Sequence, residues 1–252
     1  MLEVKDIKSS YNGKEILHDV NISSDEDMIA IVGPNAAGKS TLMKCMSGTI
    51  PYIGEIYFEG VPIKSSPGHR DPRVGYLPQE QMTGNSMTVQ EVILLGRVDN
   101  LKWRIGPDDR RIVEETMEEL SLWDIADRRM GELSGGQVQI VSIAQALVAE
   151  PRLLLMDEPT NNLDLNRQLK LFDVISDISE RRNLITVLVL HDLNLACRYC
   201  EHIVVMSDGC VHTQGKPSEV VTDALLRDVY SVEAEIVPDR DGRPRVIPYG
   251  PL

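Results

Sequence analysis

Three apolar runs that carry no charge, "MIAIV" at 28–32, "LLLM" at 153–156 and "LITVLVL" at 184–190, most limit what this chain can become. A strand of that kind has no wet face, so it belongs in a parallel sheet covered by helices on both sides. The first run leads directly into "GPNAAGKS" and then into "TLMKCMSG", a helical pattern stopped by Gly48. The turn fits G-x-x-x-x-G-K-[ST], with Gly33, Gly38, Lys39 and Ser40 in the required places. Backbone N–H groups of such a turn can cradle a phosphate, and the helix adds the positive end of its dipole. Lys39 would reach the outer phosphates and the Ser40 hydroxyl would suit Mg²⁺. The other reading of this stretch is an ordinary strand-to-helix turn.

Composition narrows the partners. Of 252 residues, 39 are acidic and 26 basic, a formal charge of -13, so the field of the whole molecule repels polyanions and argues against nucleic acid. With 42% hydrophobic residues the chain can bury a large core. No apolar run approaches the roughly 18 residues that cross a bilayer, "MLEVKDIKSS" is not a signal peptide, and the cysteines are few. The chain reads as intracellular and soluble with reduced thiols, and any membrane role comes through a partner.

A second phosphate-type site lies in "RLLLMDEPTNNLDL". Asp157, at the carboxyl end of its strand, suits a Mg²⁺ ligand, and Glu158 one step on is placed to polarise a water attacking a terminal phosphate. Taken alone, an Asp-Glu pair after a strand is as well explained by a helix N-terminal charge or a solvated turn. Between the two sites sits "LSGGQ", which leads into the helical pattern "VQIVSIAQALVAE". Ser134, Gly135, Gly136 and Gln137 make another exposed nest of N–H groups suited to an anion.

With "SYNGKEIL" and "GPNAAGKST" before "YLPQE" and "LSGGQ", then "LLLMDEPT", "NNLDL" and "VLHDLN", the chain resembles the nucleotide-binding subunit of an ATP-binding cassette (ABC) transporter along essentially its whole length. The resemblance implies an α/β fold: a P-loop NTPase (RecA-like) core with a mostly parallel sheet, an N-terminal antiparallel β subdomain and an inserted α-helical subdomain. It also implies roles. Gly33, Pro34, Asn35, Ala36, Ala37, Gly38, Lys39, Ser40 and Thr41 hold ATP, and Tyr11 stacks on its adenine. Ser40, Gln79 and Asp157 attend Mg²⁺, Glu158 is the base, His191 reaches the γ-phosphate, and Gln79 senses nucleotide for a membrane partner. Asp164 stands at a subunit boundary. Ser134, Gly135 and Gly136, with Gln137, serve the nucleotide of a second copy, so that two chains pack head to tail around two ATP molecules. From the residues alone, Tyr11 is equally a half-exposed strand tyrosine, Gln79 a solvated loop side chain, His191 a capping or packing residue and Asp164 a plain helix cap.

One domain is expected over 1–252, with 1–87 and 131–252 as the core and its antiparallel β part, and 88–130 as the inserted helices. In the insert, "VQEVILLGRV" and "DRRIVEETMEELSLWDIADRRM" have helical spacing, with "NLKWRIGPDD" as the break. Residues 1–31 alternate as an antiparallel sheet with one wet face. Later come two strands around an Asp208-Gly209 turn, a helical "PSEVVTDALLRDVY", two short strands and a frayed tail. Cys197, Cys200 and His202 invite a metal reading, but the cysteines lie on a helical pattern without a second ligand pair. Met43 and Met46 read as core filler.

"MTVQEVILLGR" and "HDLNLACRYCEHIVVMSDGCVHTQGKPSEVVTDALLRDVYSV" look like the importer subfamily for iron-siderophore complexes, haem and cobalamin. That resemblance implies a peripheral subunit on the cytoplasmic face of the cell membrane, a groove around 79–97 for a permease helix, and an indirect link to a substrate-binding protein. The alternatives are a soluble cassette scaffold for iron–sulfur cluster assembly, or the motor of another transporter such as an exporter. Ala36 stands where the family usually has glycine; if that position needs φ > 0, alanine strains the loop by about 1 kcal/mol. Val138 and Ile140 replace commoner polar residues after the signature turn.

Overall fold

The computed structural model describes residues 1–11, 13–64, 71–79, 86–98, 105–161 and 163–252. Its elements run β1 (Leu2–Tyr11), β2 (Lys14–Ser24), β3 (Met28–Val32), α1 (Lys39–Met46), β4 (Ile53–Phe58), β5 (Val61–Pro62), β6 (Val74–Leu77), α2 (Val89–Leu95), α3 (Pro107–Glu119) and α4 (Gly135–Leu147). There follow β7 (Leu153–Asp157), α5 (Leu165–Arg182), β8 (Ile185–Val189), α6 (Leu193–Tyr199), β9 (His202–Ser207), β10 (Cys210–Gly215), α7 (Pro217–Val220), α8 (Asp223–Asp228), β11 (Val232–Pro238) and β12 (Pro244–Pro251). The chain divides into two compact units, Met1–Asp71 with Ile185–Leu252, and Pro72–Leu184.

In the first unit, β3 and β8 are buried at every position, as their uncharged runs require. β3 pairs in parallel with β8 on one side and β9 on the other, and β10 closes that edge antiparallel to β9. A separate antiparallel sheet has the order β2-β1-β4-β5. There Leu2, Val4 and Ile7 face the core while Lys5 and Asp6 face water, the alternation of a half-wet sheet. Met43 and Met46 of α1 are fully buried, as core filler should be. The Asp208-Gly209 turn has φ of 48° and 77°, the left-handed pair of a two-residue hairpin. Burial pushes the thiols of Cys45 and Cys197 up to about 11 and that of Cys200 higher, which keeps all three protonated and unreactive at neutral pH. Among the described residues, no group of three or more His, Cys, Asp and Glu is placed to hold a metal ion.

In the second unit, β6 and β7 pair in parallel, with Leu77 opposite Met156. The signature helix α4 buries Val141, Ile143, Ala144 and Leu147.

Four sequence expectations need correction. The helical pattern expected through 130 stops at Glu119, because Ser121 takes φ 53° and turns the chain before a single 3₁₀ turn at Trp123–Ile125. The expected break ends at Gly106, since Pro107 opens α3 and Asp108 and Asp109 sit in its first turn; residues 99–104 of that break lie outside the described residues. The tail is not frayed: β12 pairs with β11 as far as Pro251, and the Leu252 N–H donates to the Ser231 carbonyl at 2.9 Å. The single helical stretch after β10 is two short helices, α7 and α8, the second capped by Thr222.

Candidate active site

The first unit holds the phosphate loop. β3 delivers the chain to Gly33, whose φ of 141° and whose closeness to β9 both demand glycine; a Cβ would lie 2.1 Å from the Met206 carbonyl oxygen. The loop rises through half-buried Pro34 to exposed Asn35 and Ala36, returns through buried Ala37, and reaches Gly38 at φ 97°. Gly38 caps α1 without any side chain, and the helix's first turn has no acidic residue. The orphan N–H groups and positive dipole of this helix start suit an external anion. Lys39 is 5% exposed, and its ammonium donates to the carbonyls of Gly33 and Pro34, each at 2.8 Å. The cation therefore holds the loop in shape as well as standing at its mouth. Ser40 and Thr41 follow, half-buried, on the first turn.

Ala36 does take φ 62°, so its methyl group is strained by about 1 kcal/mol. Glycine would relieve that strain and add loop entropy, two effects of similar size. Ala36→Gly is expected to bind ATP equally well or a few-fold more tightly by calorimetry; a clear loss of affinity would refute this account of the loop.

Two more candidates belong to the first unit. Ile31 on β3 pairs in register with Val189 on β8, so Gly33 and His191, each two residues further on, leave the same carboxyl edge of adjacent parallel strands. His191 is exposed there, while Asp192 beside it caps α6 by accepting the Asn194 N–H at 2.7 Å. Tyr11 ends β1 with 71% of its surface exposed, a ring face open to stacking.

The second unit gathers the carboxylates. Asp157 ends β7 and is 1% exposed. Glu158 follows at φ 52°, an unusual conformation that turns its side chain away from the strand's path. Gln79, two residues past β6, donates through Nε2 to Glu158 Oε2 at 2.7 Å, so the structure brings these two candidates together. Asn161 Nδ2 donates to the same oxygen. Sequence reasoning passed over Asn161; its only signal was its place in "NNLDL", and the contact depends on the tight turn from 158 to 161.

Asp164 caps α5, its Oδ1 accepting the Arg167 N–H at 3.0 Å. Ser134 caps α4 in the same manner, in a reciprocal box with Gln137, whose Oε1 accepts the Ser134 N–H at 3.0 Å. Gly135 and Gly136 open that helix with backbone that any residue could adopt, and a Cβ on Gly135 would meet nothing within 4 Å. Among the described residues, nothing explains glycine at 135. Val138 and Ile140 are half-buried on the same helix.

The family described as "ABC transporter" matches residues 17–161. An uncharacterised ABC transporter ATP-binding protein of Methanocaldococcus jannaschii is 40% identical over 253 residues, covering 99% of this chain and 98% of its own length. The iron(3+)-hydroxamate import ATP-binding protein of Bacillus subtilis is 34% identical, covering 98% and 94%. Among solved structures, a dimeric ATP-binding cassette in a post-hydrolysis state, bound to ADP and Pi, aligns with a TM-score of 0.72 at 26% identity, over 86% of this chain and 98% of that one.

Proposed function

Because this chain belongs to the ABC transporter family, we propose that it is the ATP-hydrolysing subunit of an importer that takes up a metal chelate, an iron-siderophore, haem or cobalamin, through a separate permease. In this reading loop 33–41 grips the phosphates of ATP, Tyr11 stacks on its base, and Glu158 accepts the proton of the attacking water. His191 meets the γ-phosphate. Ser40, Asp157 and Gln79 offer the hard oxygen donors that Mg²⁺ takes, and the ion, when bound, would neutralise charge on the phosphate oxygens. The observation that carries hydrolysis is the Glu158 carboxylate held by Gln79 and Asn161 through a single oxygen. Two donors on one atom orient the side chain, and such positioning with charge stabilisation is most of what phosphoryl transfer asks of a protein.

Two copies work together. Glycine at 135, unexplained by the described residues, is explained if another molecule approaches the helix start closely. Ser134, Gly135, Gly136 and Gln137 then complete the ATP site of a second copy, with Asp164 at the boundary between them. No helix among the described residues is long and apolar enough to cross a membrane, so attachment to the cytoplasmic face would come through the permease, and through it an indirect link to a binding protein. Leu95, exposed at the end of α2, belongs to the surface around 79–97 that would receive a permease helix, and exposed Val98 adjoins it; residues 80–85 of that surface lie outside the described residues.

Affinity capture of the tagged chain from detergent-solubilised membranes tests the transport reading. A polytopic permease is expected at a fixed stoichiometry with two copies of this chain. A soluble scaffold as the stoichiometric partner, with no membrane protein, would overturn it in favour of cluster assembly.

A further inference from the structure

Arg97 ends the stretch "MTVQEVILLGR" but has no role of its own in the reading above, and only 8% of it is exposed. Its guanidinium ties three helix ends together. Nε donates to Asp109 Oδ1 at 3.0 Å, and Nη1 donates to the Val148 carbonyl at 2.8 Å and to Glu150 Oε2 at 3.3 Å. Val148 caps the end of α4, and Asp109 in turn accepts the Gly106 N–H at the start of α3 at 2.9 Å. The residue before, Gly96, closes α2, and a Cβ there would lie 2.0 Å from the Gln145 carbonyl oxygen in the last turn of α4. Backbone meets backbone at this point.

The last carbonyls of a helix lack partners and carry partial negative charge, and a planar guanidinium can serve a carbonyl and a carboxylate at once. A lysine ammonium keeps the charge but not the fork. The 13 residues of α4 span about 20 Å, and its far end is the Ser134–Gly136 turn. Holding one end of a stiff rod against α2 sets where the other end points.

We propose that Arg97, with Gly96, is the positioning residue of the signature turn: it locks the end of α4 to α2, so that the turn is aimed at the ATP of a second copy. This rests on the reading of that turn as half of a shared site. Arg97 touches no nucleotide; it acts through α4. Arg182 of α5 holds the Leu147 carbonyl at 3.1 Å, so the end of α4 keeps an anchor when Arg97 is altered.

The test uses the Glu158→Gln chain, in which ATP is expected to trap a dimer, followed by sedimentation with ATP and Mg²⁺. Adding Arg97→Lys, and separately the milder Asp109→Asn, is expected to weaken the ATP-dependent dimer about tenfold. ATP affinity measured by calorimetry on the monomer should stay within about twofold, since the phosphate loop belongs to the other unit. Unchanged dimer affinity in both variants overturns the inference, and so does a parallel loss of ATP affinity, which would mark general damage rather than lost aim. A Glu158→Gln chain that stays monomeric with ATP overturns the shared-site reading itself, and the inference with it.

Discussion

Replacing Glu158 by glutamine is expected to lower ATP turnover on the order of a thousandfold, about 4 kcal/mol of barrier, while ATP binding survives. The carboxylate is the only group in its turn with the basicity to take a proton from water, and an amide has none. The fold should tolerate the change. Gln79 and Asn161 both donate to one oxygen of Glu158, and the amide oxygen of glutamine can accept both bonds in the same place. If Glu158 faces the γ-phosphate as proposed, removing its negative charge also lessens repulsion in the closed state, so ATP should hold two chains together as a dimer. Steady-state hydrolysis and size-exclusion chromatography with ATP measure the two effects. Wild-type turnover in this variant would remove Glu158 from the role of base.

Gly135→Asp should be nearly as damaging to turnover and harmless to folding. A Cβ at 135 would meet nothing within 4 Å, and the position is exposed in the first turn of α4. A carboxylate there favours the positive end of the helix, worth about 0.3–1 kcal/mol, so the melting temperature should hold or rise slightly. If the turn meets the triphosphate of a second copy as proposed, the same carboxylate places like charges together there. Turnover is expected to fall at least about a hundredfold, with monomer ATP affinity unchanged. Full activity in this variant would mean that the signature turn serves no phosphate at all. Loss of ATP binding by the isolated monomer would mean that it serves the nucleotide of its own chain.

Much of the architecture was legible because phosphate turns and buried parallel strands impose local rules. The uncharged runs at β3, β7 and β8 could only be strands covered on both faces, and all three are buried throughout. The departure from glycine at Ala36 raised the condition of a positive φ, and the structure meets it at 62°. Legibility failed where the outcome depended on how the chain turned. The helical spacing after 119 was real, but the left-handed Ser121 cut it, and periodicity cannot sense one dihedral angle. Asn161 and Arg97 lie in stretches with a pattern, but no spacing told their roles, because their partners are set by a tight turn in one case and by helix ends far apart in sequence in the other.

By itself the sequence determined which uncharged runs are buried strands, which turns can hold phosphate, and which side chains bring charge and basicity to them, since these follow from nearest neighbours and residue type. Only the tertiary structure decided which partners each residue has. Gly33 and Gly135 look alike as letters, but the first is demanded by the Met206 carbonyl of its own chain and the second by nothing among the described residues. Lys39, read as a phosphate ligand, also clasps the carbonyls that shape its loop. Distances between atoms remote in sequence settle such questions, and no spacing along the chain encodes them.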